Sequence, residues 1–322
     1  MGSIITVSIV QSALELGCIY ALVALALFLS FSILNIADLS TDGCFTLGCA
    51  VGAMVTLSGH PVAALFAAML SGACSGFVTA FLQTKLGVQS ILAGIIVNTG
   101  LYTINIAVMG FASNVNLFAC DTIFSMVKDT FLGSWYKLVV AILIVMVIGF
   151  IVSLFLNTRL GLSIRATGDN PDMVRASSIN TGLMITIGLC VANSLTALSG
   201  ALLAQYQKSC DINLGTGMVT IALASLIIGE TILGKGGMIK RIAGVVLGSC
   251  LYRFIVAVAL RMNVPAECLK LVSAIIVAVA IALPYLKKQA TFYRRREQTK
   301  KENQIYYDRI LKEASREKKE GR

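Results

Sequence analysis

Long unbroken apolar stretches run through this chain, with neither the strict alternation of a half-buried strand nor the single apolar stripe of a surface helix. About 20 apolar residues suffice to cross a bilayer. Nine stretches approach or exceed that length: 8–34, 43–60, 62–83, 90–112, 136–157, 180–204, 218–233, 242–260 and 268–286. Polar breaks at 35–42, 59–61, 85–88, 114–135, 158–175, 205–214, 234–241 and 261–267 separate them. The pattern predicts an all-α polytopic membrane protein of about nine transmembrane helices, eight to ten if the nearly continuous 43–83 region is divided otherwise. Residues 1–286 form the membrane domain in this reading, and 287–322 a hydrophilic tail. The first span lacks the early basic residue and small-residue site of a cleavable signal peptide, so it is read as permanent.

Composition agrees. The chain is 57% hydrophobic and 13% charged, with a mean hydropathy of +0.84, which excludes an ordinary soluble domain. Charge then orients the spans. Half of the 26 Lys and Arg fall in the last 36 residues, against six acids there. Basic segments stay on the cytoplasmic side. That rule places the tail, the 158–175 segment with Arg159, Arg165 and Arg175, and the Lys235–Arg241 region inside. By parity, segment 113–135 and the N-terminus lie outside. A basic juxtamembrane tail suits anionic lipid headgroups better than nucleic acid, with a simple solvated tail as the alternative.

The 158–175 segment, TRLGLSIRATGDNPDMVR, is the most informative break. Asn170, Pro171 and Asp172 have the form of a helix start: a side-chain cap, proline at the first position, an acid in the first turn. Met173 and Val174 would give this short helix an apolar face for a partner.

Polar residues within the apolar spans each need a reason. Glu230 and Arg253 have three readings: a gate or cavity pair, an ion pair locking adjacent helices, or Glu230 simply reaching the cytoplasmic interface. Asn98, Asn105 and Asn193 suit either a polar solute or interhelical hydrogen bonding. The 35–43 stretch, with Asn35, Asp38 and Ser40, is either irregular backbone lining a cavity or an ordinary turn. A five-residue echo between 95–99 and 227–231 suggests an inverted repeat. No phosphate-binding G-x-x-x-x-G-K-[ST] loop is present, nor a Ser/His/Asp set, since His60 is the only histidine. Nine cysteines show no C-x-x-C spacing, so no metal site is expected. Cys120 and Cys210, both external by parity, are the one candidate pair.

Thr158-Arg159-Leu160-Gly161, then Gly168-Asp169-Asn170-Pro171 and Ile179-Asn180, resemble the coupling-helix segment of the membrane subunits of ATP-binding-cassette importers. The group is the one handling branched-chain amino acids, ribose and related solutes. Asp38-Leu39-Ser40 is similar to a motif of its sugar-type members. Val88-Gln89 and Leu233-Gly234-Lys235-Gly236-Gly237 fall at comparable places, and the resemblance covers about 8–286. In the last third, Leu223 to Glu230, Gly248 to Arg253 and Ala282-Leu283-Pro284 resemble a bacterial subgroup linked with lipoprotein binding proteins, some for tryptophan or tyrosine. Glu230 replaces a glycine of the ribose-type members, which argues against carrying over a sugar. Ser178 stands where glycine is common before Ile-Asn.

The resemblance implies a permease with inverted-repeat architecture in a bacterial cytoplasmic membrane, paired with a second copy or a related permease. ATPase subunits would bind ATP and Mg and grip the 158–179 loop, and a binding protein would deliver the solute from outside. This chain would hold no cofactor and have no catalytic residues. The coupling residues it implies are Arg165, Gly168, Asp169 and Asn170, followed by Pro171, Asp172, Val174 and Arg175. Cavity or gate candidates are Asn35, Asp38, Ser40 and Asn98, with Asn193, Glu230 and Arg253. An ion-coupled carrier using Glu230 or Asp38 is the rival class, and a sugar or nucleoside the rival solute.

Overall fold

A computed structural model describes residues 7–128, 135–234 and 236–261, with scattered positions beyond. The chain divides into two compact units, Met1–Val277 and Ala278–Arg322. The first holds the helices discussed below. The described positions of the second are helical, with Phe292 and Tyr293 edge to face.

Eight apolar helices match the first eight expected spans. They are α1 (Val7–Leu27), continued by a π-helical turn at Phe28–Ile33, then α2 (Thr41–Leu57), α3 (Pro61–Thr84) and α4 (Ser90–Val108). After the short α5 (Ile123–Met126) come α6 (Tyr136–Asn157), the polar helices α7 (Arg159–Asp169) and α8 (Pro171–Ala176), and α9 (Thr181–Gln207). Last are α10 (Met218–Leu233) and α11 (Met238–Arg261). Six are long and apolar enough to cross a bilayer, whereas α2 and α10 are shorter. The expected ninth span, 268–286, falls largely outside the described residues.

The all-α expectation misses one small sheet. Strands β1 (Asn114–Asn116) and β2 (Ser209–Asp211) pair antiparallel, with Val115 opposite Cys210. Both strands come from segments expected on the same side by parity. Cys120 and Cys210 have free thiols.

Helices α1 and α9 form the buried centre. Around them the packing is exchanged: α3 lies on α9, α11 lies on α1, and α2 and α10 each pack on the third helix of their own set. The two sets are α1–α3 and α9–α11. Small residues allow the approach, since a side chain on Gly76 would overlap the Leu189 carbonyl of α9 at 2.5 Å. Gly248 and Gly229 bring α11 against α10 in the same way. The 95–99 and 227–231 echo falls on α4 and α10, which hold different places in this exchange.

Candidate functional site

The chain leaves helix at Leu34 and does not resume it until Thr41. Asn35, exposed at a left-handed φ of 57°, makes the turn, a conformation asparagine tolerates better than most residues. The chain then goes inward. Asp38 is 2% exposed, and its carboxylate organises the segment. Oδ1 accepts from the Ser40 backbone N–H (2.8 Å) and hydroxyl (2.6 Å), while Oδ2 accepts from Asn193 Nδ2 of α9 (3.0 Å). The 35–40 stretch is therefore irregular backbone packed inside the protein, with Asn35 alone exposed. Three predicted residues, Asp38, Ser40 and Asn193, meet in one network.

Just beyond, the starts of the two short helices converge. Asp42, in the first turn of α2, accepts the backbone N–H groups of Gly217 (2.9 Å) and Val219 (2.9 Å) at the start of α10. Thr46 Oγ1 accepts the N–H of Gly215 (3.1 Å). A carboxylate placed at two helix N-termini is stabilised by both dipoles. Beside this junction opens a cleft of about 430 Å³, lined by polar residues including Asp42, Thr46, Asn98, Asn105 and Asn213. Asn105 Nδ2 donates to the Gly43 carbonyl (3.1 Å), tying α4 to α2.

The remaining cavity candidates lie elsewhere, and the expected Glu230–Arg253 pair does not form. Glu230 Oε1 instead accepts from Arg241 Nη2 (3.0 Å) and the Ser32 hydroxyl (2.9 Å). Arg241 also donates to Ser32 (2.7 Å) and lies over the Phe28 ring (4.8 Å). The reason is hairpin geometry. Glu230 is one turn before the α10–α11 connection and so faces the first turns of α11. Arg253 is about 18 Å further along that helix. Its guanidinium sits 3.6 Å from the Tyr20 ring centroid instead.

In the 158–176 segment, the Asn170 side chain accepts from the N–H groups of Asp172 and Met173 (3.1 Å each), capping α8 as expected. The preceding helix α7 was not foreseen. Its own cap is Thr158, which accepts from the Gly161 N–H (3.2 Å). Asp169, Asn170, Pro171, Asp172 and Arg175 are exposed, and Arg165 half-buried. Arg175 Nε donates to Thr181 (3.2 Å), bracing α8 on α9.

Two residues expected to face a partner face inward. Val174 is 2% exposed, because a six-residue helix needs an apolar anchor on its own protein, leaving only Met173 outward. Gly168 lies against the Ile33 carbonyl, where any side chain would overlap. The 159–176 segment thus rests directly on the π-helical end of α1.

Sequence reasoning passed over three residues. Glu15, 4% exposed in α1, accepts from Tyr206 (2.7 Å) and Gln11 (2.9 Å). An acid inside an apolar run, four residues after a glutamine, was the available signal. Asp42 was read as the edge of a break and Arg241 as a topology charge; Gly217 and Val219, which Asp42 accepts from, lie more than 170 positions away.

A family model for the permease component of branched-chain amino acid transport systems matches residues 9–282. A tyrosine transport system permease protein of Clostridioides difficile (strain R20291) is 34% identical over 272 residues, 84% of this chain and 90% of that protein. An uncharacterized protein of Rickettsia prowazekii (strain Madrid E) is 31% identical over 279 residues, 85% of this chain and 97% of that one. The ribose import permease protein RbsC of Escherichia coli (strain K12) is 27% identical over 270 residues, 78% of each chain. No solved structure gives a significant match.

Proposed function

The chain belongs to the family of branched-chain amino acid transport permease components, and from that premise we propose that it forms the translocation path of an ATP-binding-cassette importer for an aromatic or branched-chain amino acid. The observation that carries this reading is the exposed, capped helix α8 seated on α7, whose Gly168 bears on the end of α1. A force applied at 170–176 passes through that contact to Ile33, along 35–40, and into the Asp42 junction beside the cleft. Such a path makes chemical sense only if another protein pushes on α8.

Arg159, Arg165 and Arg175 share this end of the molecule with Arg241, which supports a cytoplasmic placement. The solute then enters from the β1–β2 side, where a binding protein would dock. Two permease chains, identical or related, complete the path, with ATP and Mg held by the ATPase subunits. The similarity to a tyrosine permease favours an amino acid. A sugar is the second reading, carried by the similarity to RbsC. An ion-driven carrier is disfavoured because Glu230 is engaged by Arg241 and Ser32, and Asp38 by Ser40 and Asn193.

Copurification with the cognate ATPase tests the proposal. The unmodified chain should retain it, and a double variant Asp172→Lys, Arg175→Glu should lose it. Asp172 and Arg175 have side chains 89% and 69% exposed, so the double variant should fold. Undiminished association would remove α8 from the interface. No association of either form would return the ion-driven carrier to first place.

A further inference from the structure

The hydrogen-bonding sense of the cleft identifies which end of a solute it takes, an inference that rests on the cleft being part of the path. Its wall is rich in acceptors. Thr46 Oγ1 gives its proton to the Asp42 carbonyl (3.2 Å) and Thr99 Oγ1 gives its own to the Ile95 carbonyl (2.9 Å). Both hydroxyls therefore offer only lone pairs to the cleft. Asn105 is 1% exposed, and its bond to the Gly43 carbonyl fixes the amide so that Oδ1, a buried acceptor, is left without a partner. A buried carbonyl oxygen in that state calls for a donor from outside the chain.

The Asp42 carboxylate adds acceptor capacity, since Gly217 and Val219 use one lone pair on each oxygen. It also fills the position at the α2 and α10 N-termini where a solute carboxylate would otherwise be attracted. None of the described residues lining the cleft is Lys or Arg. We propose that the cleft binds the ammonium group of its solute, with Asn105 Oδ1 as the principal acceptor and Asp42 and Thr99 completing the set. An ammonium supplies three donors and no acceptor, one for each of these three groups.

The test uses the permease–ATPase complex in detergent with Thr103→Cys, an exposed position on the cleft. Labelling by N-ethylmaleimide is measured above the background of the unsubstituted chain. Four competitors are compared at millimolar concentration: L-tyrosine, tyramine, 3-(4-hydroxyphenyl)propanoate and ribose. Tyrosine and tyramine, which carry the ammonium, should slow labelling, and the other two should not. Adding Asn105→Leu should weaken the tyramine effect about 10-fold, the worth of one hydrogen bond to a charged group.

Equal slowing by the propanoate or by ribose would overturn the assignment, as would no slowing by either ammonium compound. The competitor panel needs no change at Asn105, so a misfolded variant cannot decide the result. A Thr103→Cys thiol that never reacts would mean a cleft closed to water, and the path reading itself would fall.

Discussion

Glu230 and Arg241, eleven residues apart across the α10–α11 connection, meet at 3.0 Å, with Ser32 of the first helix bonded to both. This three-way contact fastens the last described helical hairpin to the π-helical end of α1, which also receives Gly168. Two routes by which the ends of helices can move thus converge on residues 28–33.

Reversing either charge alone should destabilise the protein by about 1–3 kcal/mol, less than a fully buried pair because each side chain keeps about a fifth of its exposure. The double exchange Glu230→Arg, Arg241→Glu should recover most of that loss. Thermal midpoints of the detergent-solubilised variants check it. Equal damage in the double and single variants would mean that Ser32 and Phe28, rather than the pair, set the geometry.

Glycine substitutions separate the coupling contact from general helix effects. Gly168→Ala puts a methyl group into the Ile33 carbonyl, so it should cost about 1–3 kcal/mol by overpacking and depress solute-dependent ATP hydrolysis. Gly100→Ala meets open space in the middle of α4 and should stabilise by about 0.5–1 kcal/mol. If both variants behave alike, α7 does not bear on α1.

The Asp38–Asn193 contact holds the irregular segment to the central helix. Asn193→Leu leaves a buried carboxylate oxygen without its side-chain donor, a loss of about 1–3 kcal/mol. Uptake should fall more than protein yield, because 35–40 lies between the coupling segment and the cleft. Protease sensitivity near residue 36, compared with and without the substitution, reports whether the segment has loosened.

Strand register supplies a covalent test. Leu117 donates to the Lys208 carbonyl and Ile212 to that of Ser113, so Asn116 and Ser209 form a pair without mutual backbone bonds. Their Cα atoms should lie about 4.5 Å apart, within disulfide range. The double variant Asn116→Cys, Ser209→Cys should therefore crosslink under mild oxidation in intact cells, seen as a mobility shift lost on reduction. A crosslink from Cys210 in its place would mean the register is shifted by one residue.

Much of this architecture was legible because membrane solvation acts locally. A stretch of apolar side chains long enough to cross hydrocarbon announces itself without knowledge of its neighbours. The Asn170 cap was visible for the same reason: donor, acceptor and proline all lie within four residues. Side-chain partners at long range were not visible. Glu230 has Ser32 as a partner 198 positions away, and Arg241 stood in a break, so neither contact showed in the pairing of Glu230 with Arg253 or in Glu230 reaching the interface. Val174 looked like half of a docking face because hydrophobicity carries no direction in a six-residue helix.

The sequence by itself determined which segments are long and apolar enough to enter a membrane and where the capped helix α8 begins, since each depends on residues close together in the chain. Only the tertiary structure decided what the buried polar groups do. Asp38 with Asn193 and Asp42 with Gly217 are joined across more than 150 positions. A polar group taken out of water must be satisfied by whatever the fold brings within 3 Å, and that choice is made by packing.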